Sequence, residues 1–402
     1  MGNQILSHLS KVPATARVHF YASSGGNAGL AAVCAARSLG YPCTVVVPLS
    51  TKPLMVQKLR EAGASDVIRH GENFAEAGEY MREAVMKGKT DEDDEVLKIA
   101  LHPFDHEAIW EGNSTIVDEL AYQLPPADNP DGDDRALPVD AMICSVGGGG
   151  LLNGLVMGIE RQRQIAAKKS ASTSNRTSSI PPPPPKDKPQ KDTIHLLATE
   201  TTGTASLALA ISQKCLVSLP RITSQATSLG AVRVSSRTLQ YALSPPPGVA
   251  VHSVVLDDAD AARGVLRLVD DERTLVELAC GVCVQVAVGD GGVSSDKRGN
   301  KKRKRSFGDE GYGTGTENES DASLSSASSD AGSADAGEVQ PQPQEHEQGQ
   351  EQGQFRSKLK HLVPDLTPES RVVIIICGGS NVTIEMATEW RREIERGWGR
   401  SE

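Results

Sequence analysis

The sequence predicts an α/β protein of two domains, each built around a parallel sheet, with long polar inserts in the second domain. Two observations predict this fold class. Short β-branched runs alternate with helical segments over residues 1–100, which is typical of βαβ units. Three apolar runs also lead directly into glycine-rich turns, as strands do at the carboxyl edge of a parallel sheet. With 402 residues, the chain is long enough for both domains.

The smaller domain is predicted over residues 1–100, with strands and helices in alternation. Proline and glycine mark helix ends, since Pro53 suits a first helical turn and Gly40 and Gly63 suit positions just after a helix. Asn73 is predicted to cap the third helix. The predicted strands are Val18–Ala22, Thr44–Val47, Val67–Ile68 and Val96–Ala100, and the predicted helices are Ala28–Leu39, Pro53–Ala62 and a segment ending at Met86.

The larger domain is predicted over residues 101–402. Its predicted strands are Ala141–Val146 and Val372–Ile376, and its predicted helices are Ile109–Leu120 and Leu151–Gln164. A polar loop covers 125–138. Two inserts are predicted to be disordered, 166–192 with five consecutive prolines and 290–354 with Ser/Asp/Gly and Gln/Glu tracts. Because an apolar strand follows the second insert, we interpret that insert as a surface loop, not a domain boundary.

Composition excludes several classes of protein. A net charge of -10 argues against a nucleic-acid-binding protein, and no apolar run approaches the ~20 residues of a membrane span. Seven cysteines scattered through apolar stretches indicate a reducing compartment, so we predict a cytoplasmic protein. The pair Cys280 and Cys283 lacks a second pair or a nearby histidine, which disfavours structural zinc. A basic run at 301–305 leaves a nuclear address open beside simple solvated charge.

Four consecutive glycines carry the clearest chemical signal. Gly147–Gly150, here called the glycine loop, follow a predicted strand and open a predicted helix. Glycines let consecutive backbone N–H groups point at one anion, and the helix N-terminus adds partial positive charge. The glycine loop can therefore hold a phosphate without a basic side chain. A flexible turn between strand and helix is the alternative.

Two further loops have polar side chains at comparable positions. Ser23–Gly29, the first loop, offers Ser24 and Asn27 for a carboxylate or a ring hydroxyl, although either residue could simply cap the following helix. Cys377–Asn381, the third loop, places a thiol after a buried strand, where it could meet a heteroaromatic nitrogen. A cysteine packed as a small apolar residue is the alternative there.

The order of these motifs resembles the serine dehydratase branch of the pyridoxal-phosphate-dependent dehydratases, which share fold type II, the tryptophan synthase β fold. This sequence has Leu278 at a position where the family has proline. The resemblance spans the chain apart from the inserts and the loop at 125–138. Further stretches that match are His102–Asp105 with Ile109–Gly112, Thr199–Ser206, Leu216–Ser224 with Leu229–Gly230, and Asp270–Gly281.

The resemblance implies roles for the residues that match. The cofactor pyridoxal 5′-phosphate would be held by Asn27, Gly147, Gly148, Gly149, Gly150 and Cys377, with the glycines on its phosphate, Asn27 on its ring hydroxyl and Cys377 facing its pyridine nitrogen. The substrate carboxylate would be held by Ser24, Gly25 and Asn27. A monovalent cation, K⁺, would be ligated at Glu200, Thr204, Leu229 and Ala231.

The activity implied is α,β-elimination of L-serine, with L-threonine as a second amino-acid substrate, by a homodimer. Biosynthetic threonine deaminase is a related alternative, and a non-catalytic protein of the same fold is the alternative from another class. The family anchors its cofactor on a lysine in S-F-K-x-R-G, and Met1–Gln4 resemble the residues that follow that motif. Neither Lys11 nor Lys52 replaces it. We therefore expect little turnover from these 402 residues, either because an upstream exon supplies the lysine or because the chain is a pseudoenzyme.

Overall fold

Two parallel four-stranded sheets form the framework of the protein. The structure is a computed structural model, which describes residues 1–72, 74–88, 96–124, 137–174, 193–289 and 357–399. The strands are β1 Arg17–Ala22, β2 Cys43–Val47, β3 Asp66–Arg69, β4 Val96–Leu101, β5 Ala141–Ser145, β6 Ile194–Thr201, β7 Val249–Leu256 and β8 Val372–Ile374. The first sheet has the order β3-β2-β1-β4 and the second has the order β7-β6-β5-β8. The predicted α/β class with parallel sheets is confirmed.

Helices connect the strands, as parallel pairing requires. They are α1 Gly2–Leu9, α2 Asn27–Ser38, α3 Pro53–Glu61, α4 Phe74–Tyr80, α5 Glu107–Gln123, α6 Gly150–Ser174, α7 Ser206–Gln213, α8 Ser236–Leu243, α9 Asp258–Arg267, α10 Leu278–Val288, α11 Lys358–Leu362 and α12 Ile384–Glu395. One π-helical turn, Met81–Val85, follows α4, and another, Leu268–Glu272, follows α9. Among the described residues, no helix has both the length and the apolar character needed to cross a bilayer.

The second sheet is buried on both faces. Along β5, Ala141 and Ile143 face the core formed with α9 and α10, whereas Met142 and Cys144 face the core that contains α6. All four side chains are fully buried, which explains why β5 is a continuous apolar run without alternation. Helix α10 is similarly surrounded, since every residue from Leu278 to Val286 is buried. This packing gives the loops at the carboxyl edge of the sheet a rigid support.

Several predicted elements differ from the structure. Helix α6 continues to Ser174, well past the predicted end at Gln164, so residues 166–174 of the predicted insert 166–192 are helical. Ala166–Ala167–Lys168–Lys169 are good helix formers, and the proline run that breaks the helical pattern comes later. Strand β8 ends at Ile374 instead of Ile376. Asn73, the rest of the first insert and the second insert lie outside the described residues, as does most of the loop 125–138.

The two sides of the second insert meet in space. Ser357, the first described residue after it, donates its hydroxyl to the carbonyl of Ala287 at 2.6 Å, next to the end of α10. The described residues on the two sides of the insert are therefore in contact with each other. Contacts group all the described residues into one compact unit, and the division into domains 1–100 and 101–402 stays a prediction.

Candidate functional site

The glycine loop lies where β5 ends and α6 begins, as predicted. Three of its carbonyl groups are bonded: the N–H of Ser235 donates to Gly148 at 3.0 Å, the N–H of Asn153 to Gly149 at 2.9 Å and Nδ2 of Asn113 to Gly150 at 3.0 Å. By contrast, the four N–H groups of the glycine loop have no acceptor in the part of the chain that the structure describes. Unpaired N–H groups at the N-terminus of a long helix form a site for an anion such as a phosphate.

Glycine is required within this loop for a steric reason. Gly149 has a φ of +92°, and a Cβ atom there would lie 1.9 Å from Oγ1 of Thr238. Thr238 cannot move freely, because its hydroxyl donates to Oδ1 of Asn153 at 2.9 Å and contacts the Ser235 hydroxyl at 2.8 Å. This buried polar network holds the Thr238 side chain in place against Gly149.

The first loop connects β1 to α2 and leaves the helix N-terminus open. Gly26 is the cap residue of α2 and provides no side-chain bond, so neither Ser24 nor Asn27 is the N-cap. The Ser24 hydroxyl instead accepts from the N–H of Gly26 at 3.3 Å, which tightens the turn. Gly25 is buried against Thr51. The N–H groups of the first turn of α2 thus remain available for a carboxylate.

Asn27 joins the first loop to the third loop. Its Oδ1 accepts from the N–H of Ser380 at 3.0 Å, and its Nδ2 donates to Oε1 of Glu277 at 2.9 Å and to the Ser228 hydroxyl at 3.3 Å. The same Glu277 oxygen accepts from the N–H of Asn381 at 2.6 Å. Residues that are far apart in the sequence are therefore held within one small hydrogen-bonded group.

Ser228 and Leu229 connect this group to the glycine loop. They belong to a 3₁₀ turn, Thr227–Leu229, and the Ser228 hydroxyl donates to Glu277. A Cβ atom on Gly147 would lie 3.3 Å from Cα of Leu229, so the turn packs directly against the glycine loop. Strand β8 pairs with β5 as well, with Ile374 opposite Ile143. All three predicted loops are thereby brought to one edge of the second sheet.

Cys377 occupies the start of the third loop. Its thiol is accessible, yet the surrounding protein desolvates it enough to raise its pKa, so it is neutral at pH 7. Three further cysteines near this edge are buried, Cys144 in β5 and Cys280 and Cys283 in α10. Within the described residues, no cluster of three or more His, Cys, Asp or Glu side chains is placed to hold a metal ion. A neutral thiol suits an uncharged heteroaromatic nitrogen as a partner.

The predicted cation ligands fall into two groups. Glu200 is fully buried near the end of β6, and its oxygens accept from the N–H groups of Leu207 at 2.7 Å and Ala208 at 2.8 Å, in the first turn of α7. Burial raises the pKa of Glu200 to about 7, although these amide bonds act in the opposite direction. Thr204, in the turn between β6 and α7, donates its hydroxyl to the carbonyl of Thr201 at 3.0 Å.

Leu229 and Ala231 form the second group, beside the glycine loop. The N–H of Ala231 donates to the carbonyl of Leu229 at 2.8 Å. The amide bonds described above make Glu200 a cap of α7. Its role as a cation ligand stays a prediction, and so do the roles of Thr204, Leu229 and Ala231.

Comparison with known proteins decides the family. A family model described as pyridoxal-phosphate dependent enzyme matches residues 2–299. The chain belongs to this family. It is 40% identical over 267 residues to an L-serine dehydratase from Saccharomyces cerevisiae, covering 66% of this chain and 68% of the relative. It is 35% identical over 280 residues to an L-serine dehydratase/L-threonine deaminase from Mus musculus, covering 69% of this chain and 70% of the relative.

Structural comparison supports the same fold. The chain is similar to a fungal L-serine ammonia-lyase from Rhizomucor miehei, with a TM-score of 0.60 and 23% identity, over 98% of this chain and 87% of that one. It is also similar to a maize serine racemase, with a TM-score of 0.53 and 16% identity, over 94% of this chain and 77% of that one. The predicted resemblance and fold type are thus confirmed, and dependence on pyridoxal phosphate follows from the family.

Sequence reasoning missed two residues of this site. Glu277 was matched as part of a motif but given no role, although a single carboxylate between Val276 and Leu278 is a signal, because a charge in a buried segment needs partners. Lys58, on α3, donates to the carbonyl of Ser380 in the third loop. Its place beside the apolar Leu59 and Met55 gave no indication of that contact.

Proposed function

We propose that this chain carries the site of a pyridoxal-phosphate-dependent L-serine ammonia-lyase. Its products from L-serine are pyruvate and ammonia, and L-threonine is a second substrate that gives 2-oxobutanoate. The observation that carries the proposal is the hydrogen-bonded group around Asn27, which holds the first and third loops together beside the glycine loop. The dehydratases among the relatives support this choice of substrate.

The residues present fit pyridoxal phosphate. The unpaired N–H groups of Gly147–Gly150 would hold the phosphate, Asn27 the ring hydroxyl and the neutral Cys377 thiol the pyridine nitrogen. When bound, the cofactor withdraws electrons from the substrate's Cα, which makes its proton removable. A neutral partner at the nitrogen moderates that withdrawal, which favours elimination of the β-hydroxyl over other outcomes.

The chain's own residues would orient the substrate. Ser24 and Gly25, together with Asn27 at the open N-terminus of α2, provide a hydroxyl and N–H groups for the substrate carboxylate. The helix dipole adds attraction for this anion, worth about 0.3–1 kcal/mol. Fixing the carboxylate determines how the bonds at Cα are oriented relative to the cofactor ring and to the group that removes the Cα proton.

We infer that the site has a K⁺ ion bound near Glu200. Near Glu200 and Thr204, the first residue of α7 is Ser206, whose fully buried hydroxyl has no hydrogen-bond partner among the described residues. A buried hydroxyl oxygen without a partner is costly, and a hard cation that prefers oxygen ligands would satisfy it. Leu229 and Ala231 would add backbone oxygens.

We also propose a cytoplasmic homodimer. All seven cysteines are free, which suits a reducing compartment. Sedimentation or size-exclusion measurements at micromolar concentration test the dimer, and the expected mass is twice 42.6 kDa.

The test of the activity compares two polypeptides, each supplied with pyridoxal phosphate and L-serine. One is the 402-residue chain, and the other is extended by the coding sequence upstream of Met1, where that sequence contains S-x-K-x-R-G. We expect the extended chain to release pyruvate and the 402-residue chain to release little. An extended chain that contains the lysine and binds the cofactor, yet releases no pyruvate, would contradict the proposal.

The same experiment separates the alternatives. An upstream sequence that has no lysine motif and no splice acceptor, combined with cofactor binding, favours a non-catalytic protein of this fold. A faster release of 2-oxobutanoate from L-threonine than of pyruvate from L-serine favours a threonine deaminase.

A further inference from the structure

Glu277 is a buried carboxylate to which three separate segments donate. Its side chain is only 5% exposed, and it lies at the cap position of α10. One oxygen accepts from Asn27 Nδ2 and from the N–H of Asn381, and the other accepts from the Ser228 hydroxyl. Its own N–H donates to the carbonyl of Gly378 at 3.0 Å. No role for Glu277 follows from the cofactor contacts proposed above.

The third loop is shaped to fit this carboxylate. Gly379 has a φ of +91°, and a Cβ atom there would lie 2.3 Å from Oε1 of Glu277. Only glycine lets the backbone pass so close to the carboxylate while its neighbours donate to it.

Lys58 holds the opposite side of the same loop. It extends from α3 and donates to the carbonyl of Ser380, while the N–H of Ser380 donates to Asn27 Oδ1. The N–H and the carbonyl of Ser380 are therefore both bound by side chains of the first sheet's helices, Asn27 on α2 and Lys58 on α3. Lys58 is half-buried, and its neighbours Met55, Val56 and Leu59 fix the position of the helix.

The orientation of the Asn27 amide follows from these contacts. Glu277 accepts only, so it selects the NH₂ side of the amide, and the Ser380 N–H selects the carbonyl side. The second N–H of this amide donates to the Ser228 hydroxyl at 3.3 Å, a long bond that a stronger acceptor can replace. That N–H suits an ionised ring hydroxyl, and a flipped amide would present an acceptor to it instead.

We propose that Glu277 and Lys58 are positioning residues, which orient the Asn27 amide and hold the first and third loops in register for the cofactor ring. This inference rests on the proposed function, because it takes the ring to lie between these loops. The residues act on the ring end of the ligand, so their effect is separate from phosphate binding at the glycine loop.

The test measures the affinity of the 402-residue chain for pyridoxine 5′-phosphate by fluorescence titration. This probe has the ring, hydroxyl and phosphate of the cofactor but no aldehyde, so lysine chemistry plays no part. We expect Glu277→Gln to weaken the binding of pyridoxine 5′-phosphate about tenfold. The neutral amide removes the charge-assisted hydrogen bonds, and it can accept or donate, so it no longer selects one orientation of the Asn27 amide. Glu272→Gln, an exposed substitution five residues upstream, is the control and should bind as the unchanged chain does.

Lys58 variants provide an independent test if Glu277→Gln lowers the melting temperature. Lys58→Met keeps the apolar stem and loses the donor, and we expect binding about three- to fivefold weaker. Lys58→Arg keeps a donor and should restore most of the affinity. Lys52→Met, at an exposed position at the start of the same helix, is the control.

Inorganic phosphate, measured by its displacement of the probe, distinguishes positioning from general damage. Unchanged phosphate affinity in variants that bind the probe weakly supports the inference. Parallel loss of both affinities, or no loss of either, overturns the inference while the proposed function stands. If the unchanged chain does not bind the probe at millimolar concentration, the proposed function fails first and the inference fails with it.

Discussion

Glu200 is a fully buried carboxyl group with a raised pKa. Its surroundings disfavour the charged form, and the amide bonds from α7 compensate only in part, so its pKa is about 7. In the unfolded chain the same carboxyl titrates near its ordinary value of 4.5. A group with a raised pKa contributes stability below the unfolded value, and this stability is lost as pH rises through the folded value.

The first prediction concerns how the stability of the chain changes with pH. Between pH 4.5 and 7, Glu200 should lower the free energy of unfolding by about 3 kcal/mol as pH rises. Glu200→Gln should remove that part of the pH dependence. Denaturant unfolding of both chains at pH 5 and pH 7.5 measures the difference, with the exposed Glu272→Gln as the control.

K⁺ provides a linked measurement on the same residue. A bound cation favours the ionised carboxylate, so K⁺ should stabilise the chain more at pH 7.5 than at pH 5. Tetramethylammonium at equal concentration controls for ionic strength. Equal effects of the two salts at both pH values would show that Glu200 only caps its helix.

The second prediction concerns Cys377. Its thiol is accessible but its pKa is raised, so only a small fraction is thiolate at pH 7.5. Iodoacetamide should label it more slowly than the exposed Cys34, and pyridoxine 5′-phosphate should slow the labelling of Cys377 alone. Peptide mass spectrometry over a time course gives both rates. Labelling of Cys377 that the probe leaves unchanged would place the ring elsewhere.

At the scale of elements, α10 is the helix that supports the site. It begins beside Glu277 and is buried through Val286, so its packing and the position of that carboxylate are coupled. Sequence patterns predict such a helix poorly, because an element that is apolar on every face has no 3.6-residue periodicity. The strands β6 and β7 and the helix α1 were not predicted either, whereas the other elements of the first hundred residues were predicted to within a few positions.

The third prediction uses two valines of this helix. Val282 is fully buried and Val288 is 36% exposed. Val282→Ala should lower the free energy of unfolding by about 2 kcal/mol, since it removes two methyl groups and leaves a cavity. Val288→Ala, with the same chemical change, should cost less than half as much. Equal losses, measured by denaturant unfolding, would show that α10 is not packed as described.

At the scale of the whole molecule, the site is formed by segments that are far apart in the sequence. The sequence identified the three loops, because each follows an apolar run as turns do at the carboxyl edge of a parallel sheet, and the resemblance joined them into one cofactor site. It did not identify Glu277 or Lys58 as contacts of these loops. Their partners in these loops lie more than a hundred residues away in the sequence, and neither spacing nor periodicity predicts contacts over such a separation.

The fourth prediction concerns the second insert. Because Ser357 is bonded to Ala287, a short Gly/Ser linker can replace residues 290–354 without moving either flank. We expect the shortened chain to keep its melting temperature within a few degrees and its affinity for pyridoxine 5′-phosphate unchanged. A linker of scrambled sequence and equal length is the control. Loss of binding in both shortened chains would assign the insert a part in the site.

The place of β8 in the sheet has a consequence for folding kinetics. This strand pairs with β5, which precedes it by more than two hundred residues, and the third loop follows it directly. During synthesis, β5 therefore has one edge without its partner until the end of the chain emerges. Unpaired strand edges promote aggregation, and contacts so distant in sequence form slowly. Refolding from denaturant should thus show secondary structure before cofactor affinity, with aggregation concentrated in the interval between them.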